Sequence, residues 1–120
     1  MSDNAFASVL TVEVERSGST AMVRCRGMLV VGVTDVLYLK VRQLIPPSKP
    51  DTKRIVLDLT DLARMDSTGL GTLVRLYVSA RSAGCTLELV NLGQQVRQLL
   101  GTTNLLSVFT VVGERGIKVG

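Results

Sequence analysis

The chain has 120 residues, 46% of them hydrophobic, which suits one domain with a two-layer core and excludes a disordered chain. Its formal net charge is +4, yet only 3% of residues are aromatic and no basic stripe carries interleaved stacking residues, so direct nucleic-acid binding is not expected. Histidine is absent, which removes the usual general base, the usual zinc ligand and any Ser-His or Cys-His dyad.

The start, "MSDNAFASVL", lacks the basic region and apolar stretch of a signal peptide, and no apolar run is long enough to cross a bilayer. A cytoplasmic protein without a membrane span is expected. Leu10, Val12 and Val14 alternate with Thr11, Glu13 and Glu15, the pattern of a half-buried strand. After "RSGST" the alternation resumes, with Ala21, Val23 and Cys25 against Met22, Arg24 and Arg26. A two-residue Gly18-Ser19 turn of type II′ sets Val14 opposite Val23 and Glu13 opposite Arg24, so apolar meets apolar and acid meets base. Val33, Val36, Leu37, Val41, Leu44 and Ile45 then recur at helical spacing until Pro46-Pro47 stops the helix, with Thr34 and Asp35 as the candidates to start it. The cluster "KPDTKR" reads as a solvated, proline-containing connection.

The run "RIVLDLTDL" is short, apolar and β-branched, the signature of a strand covered on both faces. From Ser67 to Ser82, Leu70, Leu73, Val74, Tyr77 and Val78 make one apolar stripe of a helix that Ala83-Gly84 ends. "TLELVN" is a further strand, Val96, Leu99 and Leu100 mark a shorter helix ending at Gly101, and "SVFTVV" is a last strand. The tail "GERGIKVG" is expected to fray, with a short terminal helix or strand as the alternative. Cys25 and Cys85 lack C-x-x-C spacing and read as two buried or half-buried thiols rather than a disulfide or a metal site. The order is β-β-α-β-α-β-α-β: an α/β fold whose mixed sheet has an antiparallel N-terminal hairpin and a parallel second half packed with helices. No second domain, internal repeat or low-complexity segment is visible.

Between the third strand and the second helix lies "RMDSTGLGTL". A serine nucleophile needs a base; histidine is absent, and no lysine lies near in sequence for a Ser-Lys dyad. Aspartic-protease chemistry needs two Asp-Thr/Ser-Gly loops, and here a single motif carries an extra residue between Ser67 and Gly69. A phosphate loop wants more glycines and a lysine before Ser or Thr. The plain reading is a helix start, with Asp66 or Ser67 accepting from orphan amides of the first turn. The place is nonetheless one where open α/β sheets put functional loops, at the carboxyl end of a central strand. A phosphoryl group on Ser67 would add about −1.5 to −2 charges beside Asp66 and repel a partner docked there.

The stretch from "IVLDLTDL" through "DSTGLG" to "LVN" and "LLGTTNLL" resembles the STAS domain family, and within it the stand-alone anti-sigma factor antagonists of bacterial sporulation and general stress control. The resemblance covers a core of about residues 9–112 within one domain spanning 1–120, and is most specific at Asp66-Ser67-Thr68-Gly69-Leu70-Gly71. It implies a partner-switching protein, not an enzyme, with no cofactor of its own. Its partners would be an anti-sigma factor that is also a serine kinase, and a serine phosphatase that restores the unphosphorylated form. Ser67 would be the phosphorylated residue, with Thr68 the runner-up. Asp66 would orient Ser67, and Gly69 would let the partner approach the backbone closely. Leu70 and Gly71 complete the motif as partner-binding positions.

Two departures stand out. Where the family usually shows Gly-Glu-Leu-Asp after the second strand, this chain has Gly27-Met28-Leu29-Val30, so Met28 and Val30 replace acids in a partner-binding loop. Arg64 stands where the family is commonly apolar. Together they imply a partner with a different surface or a chain whose switch has diverged. The alternative is a non-switching STAS scaffold, either a subunit of a stress-signalling complex or the small partner of a lipid-transporting ABC system. An apolar patch from Met28 to Val31 would favour that reading if exposed. A nucleotide- or lipid-binding domain ranks third, for want of a phosphate loop or a clear apolar pocket. A homodimer is compatible with the sequence and not specified by it.

Overall fold

A computed structural model describes residues 9–103, 110–112 and 118–119. Strands β1 (Leu10–Ser17) and β2 (Thr20–Leu29) form the antiparallel hairpin in the expected register, Val14 facing Val23 and Glu13 facing Arg24. Gly18 has φ +62 and Ser19 is not among the residues with positive φ, as a type II′ turn requires. Helix α1 (Thr34–Arg42), β3 (Arg54–Met65), α2 (Ser67–Ser82), β4 (Thr86–Val90), α3 (Gln94–Thr102), β5 (Thr110–Val112) and β6 (Lys118–Val119) follow. The sheet order is β1-β2-β3-β4-β5-β6, parallel from β2 to β5 and antiparallel at both edges.

The expected order is present, with one addition. Lys118 and Val119, in the tail expected to fray, pair with β5 as a sixth strand. Residues 107–109 of the expected last strand lie outside the described residues, and β5 is described over Thr110–Val112.

The parallel connections all step the same way across the sheet. Right-handed crossovers then place α1, α2 and α3 on one face. The core agrees: Ala21, Val23 and Cys25 of β2, Ile55, Leu57 and Leu59 of β3, and Leu87 and Leu89 of β4 form one cluster with Leu37, Leu73, Leu76, Val96 and Leu100 of the helices. Val56 is also buried but lies outside that cluster, so the first half of β3 is covered on both faces, as its unbroken apolar run suggests. Further along β3 the buried residues are Leu59, Leu62 and Met65, three apart rather than two. Register shifts against β2, between Arg24 and Arg26 and between Gly27 and Met28, change which side chains face the core.

Two helix expectations need correction. The N-cap of α1 is Val33 without a side-chain cap, while Thr34 and Asp35 lie inside the first turn. The same helix stops at Arg42, because the residue before a proline avoids helical backbone and Ile45 precedes Pro46. Leu44 and Ile45 are buried from the following turn instead. In α2 the buried residues are Gly69, Leu70, Thr72, Leu73, Leu76 and Ala80, whereas Val78 is 55% exposed and Val74 and Tyr77 are half-buried. The helix is rotated so that its small residues face the sheet, which lets the two layers approach closely. The end of α3 at Thr102 is one residue beyond the expected Gly101.

Candidate functional site at the start of the second central helix

The chain leaves β3 at Met65 and turns at Asp66 into α2. Asp66 is the N-cap, in extended backbone, and its Oδ1 accepts the Gly69 N–H at 2.9 Å. Of the two residues able to cap, it is therefore Asp66 that does so, and Ser67 is the first helical residue. The other carboxylate oxygen, Oδ2, accepts the Val31 N–H at 2.9 Å. The Asp66 N–H donates to the Leu29 carbonyl at 3.3 Å. One residue thus joins the end of β2, the loop after it and the first turn of α2. The Val31 N–H, helped by those of Gly69 and Thr68, holds the Asp66 carboxyl below the usual carboxylate range against a smaller opposing effect of burial.

The same junction is clamped from α3. Gln95 accepts the Met65 N–H through Oε1 at 2.9 Å and donates through Nε2 to the Met65 carbonyl at 3.0 Å. A glutamine satisfies both backbone groups of one residue at a strand end this way. Nothing in the sequence pattern singled it out, since an isolated Gln on a helix has no local signature.

Around this clasp the predicted residues divide. Ser67, Thr68 and Gly71 are exposed, Asp66 is half-buried, and Gly69 and Leu70 are buried. Gly69 meets a need inside the chain: a Cβ there would collide with the Leu29 carbonyl oxygen and lie 2.9 Å from Met65 Cγ. The close backbone approach that glycine permits is made by β2 of the same molecule, and a buried Gly69 offers a partner little surface. At the end of β2 Met28 is 37% exposed, and in the loop that follows Val30 is half-buried and Val31 is 69% exposed. The exposed apolar residues here are therefore Met28 and Val31, and the Val31–Asp66 bond holds Val31 at the start of α2. Leu29 points into the core. Arg64, the other departure, is exposed.

The arrangement presents an acyclic hydroxyl at a helix N-terminus, held by a rigid frame and flanked by apolar surface. Phosphate on such a hydroxyl would face the positive end of the helix dipole on one side and the Asp66 carboxylate on the other. The thiols lie elsewhere: Cys25 and Cys85 are both buried and unpaired with each other. Burial, with a lesser effect of Asp58, pushes the Cys25 thiol up to about 12.

The sequence profile of the STAS domain family matches residues 11–115. The chain is 26% identical over 102 residues to the anti-sigma F factor antagonist of Paenibacillus polymyxa, covering 85% of this chain and 86% of that protein. It is likewise 26% identical over 102 residues to the anti-sigma-B factor antagonist of Bacillus subtilis strain 168, covering 85% and 90%. The crystal structure of an anti-sigma factor antagonist from Mycobacterium paratuberculosis has the same fold, with a TM-score of 0.73 at 22% identity over 85% of this chain and 84% of that one. The mixed sheet, its helical layer and the profile match over most of the length lead to one conclusion: the chain belongs to the STAS domain family.

Proposed function

We propose that this chain is an anti-sigma factor antagonist that binds an anti-sigma factor with serine-kinase activity and is released by phosphorylation of Ser67. The observation that carries this reading is the exposed Ser67 hydroxyl at the first position of α2, directly after the capping Asp66. The names of the relatives point the same way. In the unphosphorylated state the partner would cover Ser67, Thr68 and the adjoining Met28–Val31 surface, and so free a sigma factor. Its kinase site would bring ATP and magnesium; this chain would be ligand and substrate rather than catalyst, acting in the cytoplasm.

The release step follows from charge. A phosphoserine adds about −1.5 to −2 charges directly after the Asp66 carboxylate, which itself holds the exposed Val31. A docked partner must then desolvate an unpaired dianion, and the complex opens. Dephosphorylation by a serine phosphatase restores the docking surface. Because Asp66 rather than Ser67 caps the helix, the hydroxyl can be modified or replaced without undoing the helix start.

Mixing the chain with its cognate kinase and ATP, then measuring intact mass, tests the reading. Phosphate is expected on Ser67 with loss of the complex, and Ser67→Ala should stay bound in the presence of ATP. Binding that persists with ATP and leaves the mass unchanged would remove the switch.

The exposure of Met28 and Val31 supports a second reading, a permanent scaffold subunit in a stress-signalling complex or a lipid-transport ABC system. An anti-sigma kinase gene beside this one favours the switch. Transporter genes, or co-purification with an ATPase, favour the scaffold.

A further inference from the structure

We propose that the outer face of α1 and α2, at the end of α2 remote from Ser67, is a second docking surface that takes an acidic, apolar-bearing segment of a partner protein. The distribution of paired charge is the starting point. Arg16 lies 3.6 Å from Asp51, Arg24 3.7 Å from Asp58, Arg26 3.7 Å from Asp61 and Arg54 2.8 Å from Glu88. These strand-borne arginines each have a carboxylate beside them. Arg42 of α1 and Arg75 of α2 have none among the described residues, as is also true of Arg64, Arg81 and Arg97, but Arg42 and Arg75 alone converge on one aromatic ring. The helices α1 and α2 together carry Lys40, Arg42, Arg75 and Arg81 against Asp35 alone, an excess of three positive charges in a chain whose net charge is +4. Most of the protein's surplus charge therefore sits on this one layer.

The guanidiniums of Arg42 and Arg75 are held in a defined arrangement. Arg75 lies over the Tyr38 ring at 4.6 Å and Arg42 at 5.8 Å, and Arg42 Nη1 donates to the Tyr38 hydroxyl at 3.2 Å. A guanidinium stacked on an aromatic ring loses little freedom when it binds a carboxylate, and its planar fork suits that group. Beside this cluster, between the ends of the two helices, is a groove of about 330 Å³ lined by Arg42, Ile45, Pro46, Val78, Ser79 and Ser82. Ile45, Pro46 and the 55% exposed Val78 give the lining its apolar part. Arg42, Ser79 and Ser82 add a guanidinium and two hydroxyl-bearing residues to the lining. An apolar side chain flanked by carboxylates complements that combination, with tyrosine and arginine as the anchors that dominate binding surfaces of this kind.

Fifteen helical steps separate Ser67 from Ser82 and eight separate it from Arg75, about 22 Å and about 12 Å along the axis at about 1.5 Å per residue. Ser67 is not among the residues that line the groove, so the two surfaces are distinct. The inference does not rest on the switch reading.

The test uses a fluorescein-labelled synthetic peptide with a central leucine flanked by glutamates, read by anisotropy against the full-length chain. Saturable binding is expected, weakened several-fold when salt rises from about 50 to about 300 mM. The double variant Arg42→Glu, Arg75→Glu should lose at least about tenfold in affinity, as like-charge juxtaposition does at such surfaces. Val78→Asp should lose a similar factor, and Ser67→Asp should lose none. Unchanged circular dichroism and melting of the variants confirm that the loss is local. Equal binding of the peptide with glutamine in place of glutamate overturns the proposal, as does indifference to the double variant. Absence of peptide binding together with arginine-dependent binding to phosphatidylserine-containing vesicles also overturns it, and assigns the face to a lipid surface.

Discussion

Gly69 and Gly71 stand two residues apart in the same first turns of α2, and the structure separates them sharply. At Gly69 an added Cβ would collide with the Leu29 carbonyl oxygen and sit 2.9 Å from Met65 Cγ and 3.0 Å from Leu29 Cγ. The carbonyl is backbone of a central strand, so the helix start has to move instead. Forcing a methyl group into such a contact costs about 1–3 kcal/mol. Displacing the helix also weakens the Asp66 N–H to Leu29 bond, a further loss of about 1 kcal/mol. Alanine's helix preference offsets at most about 1 kcal/mol. Gly69→Ala is therefore expected to destabilise by about 2 kcal/mol, lowering the urea midpoint by about 1 M for a slope of 1–3 kcal/mol per M. At Gly71 nothing among the described residues lies within 4 Å of the added atom, so Gly71→Ala should stabilise by about 0.5–1 kcal/mol. Urea unfolding of both variants, followed by circular dichroism at equal slope, makes the comparison. A Gly69→Ala midpoint at or above that of Gly71→Ala would refute the close approach of α2 to β2.

Asp66→Ala removes both the helix cap and the acceptor for Val31, and should cost about 1–2 kcal/mol in the same assay, while Ser67→Asp should cost little because an acid in the first turn suits the helix dipole. Stability should also report the lowered carboxyls of Asp66 and Asp58: for Asp58, burial opposes the shift and hydrogen bonds from Thr60 and Asn91, with Arg24, outweigh it. A folded pKa below the unfolded value of about 3.9 stabilises fully above that value, and the contribution is lost as pH falls through the folded pKa. Urea midpoints should thus stay flat toward neutrality and drop below about pH 4, with a shallower drop in Asp66→Asn; an equal drop would remove Asp66 from the account. Cys25 and Cys85 should resist iodoacetamide in the native protein at mildly alkaline pH and react on unfolding, because burial raises both thiols. Rapid native labelling of Cys25 would contradict its place in the core.

Much of the fold was legible because its signals are local. Alternation along residues 10–14 and 21–25, with a glycine able to take positive φ between them, specifies the hairpin and its register. The span of α2 is bounded by Asp66 before it and Ala83-Gly84 after it, and both limits could be read directly. Strand β3 and the short strand β4 also announce themselves by β-branched and leucine runs. What the sequence could not display is orientation. The stripe through Leu70, Leu73, Val74, Tyr77 and Val78 has helical spacing, yet the helix turns Gly69, Thr72 and Ala80 inward and leaves Val78 out. Hydropathy cannot register that a small residue is buried because two backbones meet there.

The motif at residues 66–71 shows the same division. Its residue types mark a helix start and an available hydroxyl, and the resemblance to STAS antagonists rests on nothing more than those letters and their neighbours. Tertiary structure decides which residue caps, which glycine is structural, and which loop lies beside the serine. The Val31 amide reaches Asp66 across 35 residues of chain, and the Gln95 amide reaches Met65 across 30. Such contacts depend on how strands stack in the sheet, so no window of sequence contains both partners. Local chemistry determined that a helix begins at Ser67. The sheet decided what surrounds it, because only the parallel pairing of β2 with β3 brings an apolar loop to the same edge.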